Sequence, residues 1–314
     1  HHHYSMDKFV PEFDETFLRY EVSKLPADKQ PAGLDMLCKV IFDPTVLAKR
    51  VNQAEGEDLI VTSANNLYEG VTQKQVEDYY NALKDTTVVN PISYGLNTRV
   101  AMIDGKVTEQ PYRIGGLYSD AIVRIVDNLK KAREYAENGK QAGVIDKLIE
   151  YYTTGDLATF DDYSIQWVED TDSQVDFING FIESYGDPLG MTGAWESIVN
   201  FKNVEASHRT EALSSNAKWF EEHSPVDPRF RKDEVKGVTA KVITAAILAG
   251  DAYPATPIGI NLPNANWIRA AHGSKSVTLE NITQAYDEAS HGSGFNEEFV
   301  IDEPTRKLLD DYLF

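Results

Sequence analysis

The chain has 314 residues, with 30 Lys and Arg against 50 Asp and Glu, a formal net charge of −20. Hydrophobic residues make up 42%, which supports a sizeable core in one large or two modest domains and excludes intrinsic disorder as the main state. So acidic a surface repels phosphate backbones and anionic lipid, which argues against nucleic acid and membrane surfaces as partners.

The elements follow in chain order. Residues 1–6 (His-His-His-Tyr-Ser-Met) show no signal-peptide pattern and read either as native sequence or as a tag remnant before Met6. The one cysteine, Cys38, sits in an apolar stretch that reads as core, so the expectation is a reducing, cytoplasmic compartment without disulfides. Thr72 and Gln75 form a capping box for an amphipathic helix carrying Val76, Tyr79, Tyr80 and Leu83 and ending near Lys84. From Thr98 the period shortens to two, and Asp104-Gly105 suits a type I′ turn, which predicts a hairpin or small sheet.

Ile122, Ile125, Val126, Leu129, Ala132 and Ala136 keep helical spacing, with Gly139 expected as the stop; a second helix is expected over about 142–154, ending at Gly155. Residues 163–168 (Tyr-Ser-Ile-Gln-Trp-Val) alternate like a strand. Residues 175–185 are apolar with one Glu inside, 187–190 (Asp-Pro-Leu-Gly) form a turn, and 200–222 read as helix before a seam at Pro225 and Pro228. Residues 242–249 are apolar but far too short to span a bilayer. This pattern predicts an α+β chain, mainly helical, with one small sheet.

Familiar catalytic signatures are missing. No two His lie one helical turn apart around a Glu, and no Walker loop, dinucleotide fingerprint or Gly-x-Ser-x-Gly elbow is present. His208, His223, His272 and His291 are scattered and read as surface or capping residues, and Gly292-Ser293-Gly294 reads as a flexible turn. Two polar clusters in Gly- and Pro-rich surroundings stand out instead. In the first, residues 180–190 (GFIESYGDPLG), Glu183 and Tyr185 are two apart, so an extended backbone turns both to one side. They either form a polar site there or serve as an ion-paired Glu and a packing Tyr at a strand end. In the second, residues 257–264 (PIGINLPN), Asn261 and Asn264 either present rigid amides to a ligand or simply shape a turn.

These two blocks, in this order and with Gly193 and Glu196 following the first, closely resemble the dipeptidyl peptidase III family of zinc metallopeptidases. Residues 1–11 (HHHYSMDKFVP), 132–136 (AREYA) and 273–281 (GSKSVTLEN) also resemble blocks of that family, so the likeness covers nearly the whole chain. It implies a two-lobed architecture, mainly helical, with a small β-barrel in the lower lobe. Residues 1–203 would form that lower lobe. Residues 204–314 would begin a helical upper lobe, only partly present, with short returns to the lower lobe near 243–250 and 279–290.

The resemblance further implies a parent enzyme that releases dipeptides from the amino terminus of short peptides, with zinc activating water. In that picture Tyr185 is the catalytic donor to the developing oxyanion. Glu183, Asn261 and Asn264 bind the substrate's amino terminus and backbone, and Glu196 is a possible acidic support. The family's His-Glu-x-x-x-His helix is not found in the 314 residues, so the expectation is an internal fragment with no metal ligands, no cofactor of its own and no activity alone. The alternative is a non-catalytic peptide-binding or scaffold protein of the same architecture.

Overall fold

The computed structural model describes residues 7–231, 235, 239–253, 256–290 and 298–312. The block at 1–6, His291 and the 292–294 turn lie outside the described residues. No described helix is long and apolar enough to cross a membrane.

The amino-terminal part carries α1 (Glu15–Ser23) and α2 (Leu34–Phe42), the latter burying Cys38 to 1% exposure. A short strand β1 (Tyr68–Glu69) leads into α3 (Gln73–Leu83), whose Thr72/Gln75 capping box forms as expected and whose Val76 and Tyr80 are buried. The hairpin β2 (Thr98–Ile103) and β3 (Lys106–Pro111) turns through Asp104 and Gly105, both at positive φ as a type I′ turn requires, and β1 pairs parallel to β2.

Three consecutive helices follow, α4 (Ser119–Arg133), α5 (Gly139–Thr154) and α6 (Leu157–Glu169). Gly139 opens α5 and does not stop α4. The Asn138 side chain accepts from Gln141 N at 3.0 Å, and that cap outcompetes a glycine stop. The 132–136 block accordingly straddles the end of α4. Gly155 ends α5 in the left-handed conformation, as its sequence position implies.

Residues 163–168 are helical, correcting the strand expectation. Asp156 caps α6 by accepting from Thr159 N at 2.8 Å. Phe160, Tyr163, Ser164 and Trp167 then fall on one buried face at i, i+3, i+4 and i+7. Six residues are too few to separate the two periods; the cap, seven residues earlier, decides.

The larger sheet has the order β4 (Val175–Glu183), β5 (Ala194–Lys202), β6 (Thr239–Gly250), β8 (Lys275–Leu279), β7 (Gly259–Leu262). Its pairings are antiparallel apart from the parallel β6–β8 pair. The α+β class therefore stands, but with two sheets among the described residues where the hydrophobic pattern indicates one. β6, β7 and β8, from the later part of the chain, join β4 and β5 in this one sheet. Helical structure begins only after β5, with α7 (Val204–Ser215) and α8 (Ala217–His223), so residues 200–202 are strand. There Asn203 accepts from Ala206 N at 3.0 Å. Helices α9 (Asn266–His272) and α10 (Glu280–Ser290) flank β8, and a further helix spans Glu303–Tyr312.

The main core lies between α4, α5, α6 and this sheet. It is built from Tyr151, Tyr152, Phe160, Tyr163, Trp167, Ile178, Phe181 and Ile198. Tyr152 ties the layers together by donating to Asn179 at 2.5 Å and accepting from Trp195 Nε1 at 2.8 Å.

Candidate functional site

The first polar cluster is the end of β4. Ile178 and Ile182 lie on one side of the strand and line a cavity of about 520 Å³. Simple alternation would turn Glu183 to the opposite face, with Phe181. A β-bulge intervenes, because Phe181 pairs with Trp195 whereas Glu183 pairs with Ala194, which leaves Ile182 as the extra residue. That extra residue lets Glu183 follow Ile182 into the cavity. The bulge needs a close neighbour without a side chain, and Gly193 supplies it: a Cβ there would lie 2.7 Å from Ile182 N and the Phe181 carbonyl carbon.

The following loop is held by Asp187, which is buried at 2% exposure. Its carboxylate accepts from the Tyr68 hydroxyl at 2.9 and 2.8 Å and from the backbone N–H groups of Leu189, Met191 and Thr192 at 3.0, 2.9 and 2.7 Å. One carboxylate thus satisfies most of the turn's orphan donors and fastens it to β1. Tyr185, between the bulge and this anchor, is 65% exposed. It is not a packing residue, and no cation forms an ion pair with Glu183 among the described residues, so neither half of the plainer reading describes the site.

The second cluster approaches from β7. Leu262, Pro263, Asn264 and Ala265 line the same cavity as Glu183 and Tyr185, and Asn264 and Tyr185 act on the Glu183 carboxyl by hydrogen bonding. Asn261 does not line the cavity. It precedes the buried, cavity-lining Leu262 on β7, so strand alternation turns its side chain to the other face, and its carbonyl accepts from Arg269 Nη1 at 3.2 Å. Glu196 does not line the cavity either. It is buried at 8% exposure on β5, opposite Gly180 and Gly250.

The electrostatics are those of crowded carboxylates. Burial, then Glu183 and Asp251, push Glu196 up to about 8. Glu183 is itself raised by burial and by Asp251, against the stabilising effect of Asn264 and Tyr185 on its charged form. The negative charge of Glu183 raises Tyr185 as well, which keeps that phenol protonated and able to donate. Glu183 and Glu196 are thus both held above the ordinary carboxylate range, by burial and by the charge of Asp251.

Asp161 and Asp251 were not singled out by sequence. Asp161 lines the cavity from α6 and becomes legible only when 157–169 is read at helical period, which sets it beside the buried stripe. Asp251, just past Gly250, has no local signal; β6 pairing brings it to the cluster.

No group of three or more His, Cys, Asp or Glu side chains among the described residues is arranged to hold a metal ion. His208 faces Glu211 at 3.3 Å, His223 faces the Trp219 carbonyl at 2.8 Å, and His272 faces Glu169 at 3.2 Å. Among the described residues no donor set fits the zinc that the resemblance implies.

Residues 99–311 match the family model for peptidase family M49. The chain belongs to peptidase family M49. It is 34% identical over 177 residues to Dipeptidyl peptidase 3 of Dictyostelium discoideum, an overlap covering 55% of this chain and 25% of that protein. With Dipeptidyl peptidase 3 of Homo sapiens the identity is 33% over 167 residues, covering 53% and 22%. The structure of DPP III from Caldithrix abyssi matches 87% of this M49 chain and 51% of that one, with a TM-score of 0.61 at 20% identity, a likeness of fold. The overlap thus takes in about a quarter of these curated relatives and about half of the solved one.

Proposed function

We propose that this M49 chain is the substrate-binding portion of a zinc-dependent dipeptidyl peptidase, and that its cavity holds the amino terminus of a short peptide. The carrying observation is that Glu183, Tyr185 and Asn264, from two segments distant in sequence, line one cavity. A peptide's free ammonium is the ligand such a site lacks. It favours the charged form of Glu183, which can accept a charge-assisted hydrogen bond from it. The Asn264 amide adds a neutral partner, and the exposed Tyr185 hydroxyl donates toward negative charge developing on the scissile carbonyl oxygen. Asn261, outside the cavity, acts on substrate only where a peptide extends along β7. Glu196, holding its proton up to about pH 8, supports the site as a buried neutral acid that adds no charge against Glu183. Residues 1–203 form the lower lobe in this reading, and 204 onward opens the helical upper lobe with a return to the lower one.

Tyr185→Phe in a longer protein carrying this chain tests the catalytic part. Losing one oxyanion donor costs about 10²–10³ in kcat, with KM little changed because the contact is made in the transition state. An unchanged kcat with unchanged thermal stability contradicts the assignment and favours a peptide-binding protein without catalysis.

A further inference from the structure

Three lysines meet on one face of the larger sheet, at the end where β4 begins. Lys202, at the end of β5, stands in register with Ile243, and Lys275, on β8, with Thr239, so both share a side of the sheet with Lys241 on β6. The Nζ atoms of Lys202 and Lys241 donate to one acceptor, the Thr171 carbonyl, at 2.6 and 3.1 Å. Lys275 is enclosed and donates to Asp176 at 2.8 Å, with the Trp167 ring against it. The other carboxylates of this region are committed: Asp170 accepts from Ser173, and Asp172 pairs with Lys140 at 3.2 Å. From α7, Ser207 meets the Val242 carbonyl and His208 faces Glu211. From α10, Glu280 accepts from Thr244, which alternation turns away from Lys241. Lys241 therefore has no ion-pair partner among the described residues.

An ammonium crowded by two others and left without a carboxylate favours its neutral amine, and a neutral amine is a nucleophile. Burial, then the charges of Lys202 and Lys275, bring Lys241 down to about 8 against the attraction of Asp176. At pH 7 about one molecule in ten then carries a free amine there, against fewer than about one in a thousand for an ordinary lysine. Lys241 is half-buried and Thr171 is exposed, so a small reagent reaches the amine. Lys202 keeps its charge beside it and offers a partner to an anionic group. We infer that Lys241 is a reactive amine that takes an acyl group from acyl phosphates, with Lys202 holding the phosphate. Nζ attacks the acyl carbon, the bond from that carbon to the bridging oxygen breaks, phosphate leaves, and the surplus proton of the amine passes to phosphate or water. No oxidant or reductant is needed. The product amide is neutral, so the modification removes one of three crowded charges. Neither Lys202 nor Lys241 lines the cavity, which makes this reactivity independent of the peptide reading.

Incubation of the 314-residue chain with acetyl phosphate, followed by peptide mass spectrometry, tests the site residue by residue. Lys106 and Lys131, both exposed, serve as internal references. At pH 7 Lys241 is expected to acetylate about tenfold faster than either or more, the gain in free amine being partly offset by its lower basicity. Its rate should rise with pH and level off above about 8, while the reference lysines keep accelerating through pH 9.5 or so. Excess inorganic phosphate should slow Lys241 and leave the references unchanged. Lys202→Met removes both the neighbouring charge and the phosphate partner, and should bring Lys241 close to the reference rate; Lys202→Arg, which keeps the charge, should preserve most of the difference. Melting temperatures measured alongside show that each variant is folded. If Lys241 reacts no faster than the references, or keeps accelerating with them above pH 8, its amine is an ordinary one and the inference is overturned. It is equally overturned if the advantage of Lys241 survives Lys202→Met or is indifferent to inorganic phosphate, since Lys202 then holds no phosphate.

Discussion

Glu196→Gln is the perturbation whose outcome the structure determines most fully. The wild-type carboxyl is flanked across the sheet by Gly180 and Gly250, is 8% exposed, and has no hydrogen-bond or ion-pair partner among the described residues. Burial and the charges of Glu183 and Asp251 raise it from 4.5 to about 8. At about 1.4 kcal/mol per pKa unit, the penalty against its ionised form is on the order of 5 kcal/mol. The sign follows from linkage. Below the unfolded value both states hold the proton and nothing is lost. As pH rises toward about 8 the unfolded chain ionises while the folded one holds its proton, so stability falls, and above about 8 the full penalty is present. Glutamine keeps the shape and cannot ionise. Urea denaturation of both proteins should give nearly equal stabilities near pH 5, and a variant more stable by about 2–4 kcal/mol near pH 9, with m unchanged. An equal shift at both pH values, or a less stable variant near pH 9, would refute the argument that Glu196 is a buried, uncompensated acid.

Asp187→Ala strips the loop of a buried acceptor for Tyr68 and three backbone N–H groups; a loss of at least about 3 kcal/mol is expected, with faster amide exchange confined to 185–193 near its onset. Lys275→Met leaves Asp176 without the Nζ that donates to it at 2.8 Å, and should cost about 3–5 kcal/mol; adding Asp176→Leu should recover most of that loss in the melting temperature, since both charges are then gone.

Much of the fold was legible where a local signal dominates. The Thr72/Gln75 box, the Asp104-Gly105 turn and the Gly155 stop each act within a few residues, and all three formed as read. Residues 163–168 were misread because an alternating hexamer is compatible with both periods. Strands β6, β7 and β8 have no turn chemistry to announce them and exist by pairing with distant segments, β8 running parallel to β6. The site followed the same division. Glu183 and Tyr185 share a cavity, as spacing suggested, but through a bulge that Gly193 permits and that no sequence spacing reveals. Asn264, just past β7, joined them while Asn261 did not, because Asn261 stands one strand position before the cavity-lining Leu262 and so takes the other face.

In the proposed function Glu183 holds a peptide's amino terminus. The direct measurement is a calorimetric cycle on this chain, pairing wild type and Glu183→Ala with one short peptide in free and N-acetylated forms. A charge-assisted hydrogen bond is worth about 1.5–3 kcal/mol, so the mutation should weaken the free peptide about tenfold to a hundredfold and leave the acetylated peptide nearly unchanged. If Glu183→Ala weakens both forms equally, Glu183 is structural and the amino terminus is held elsewhere.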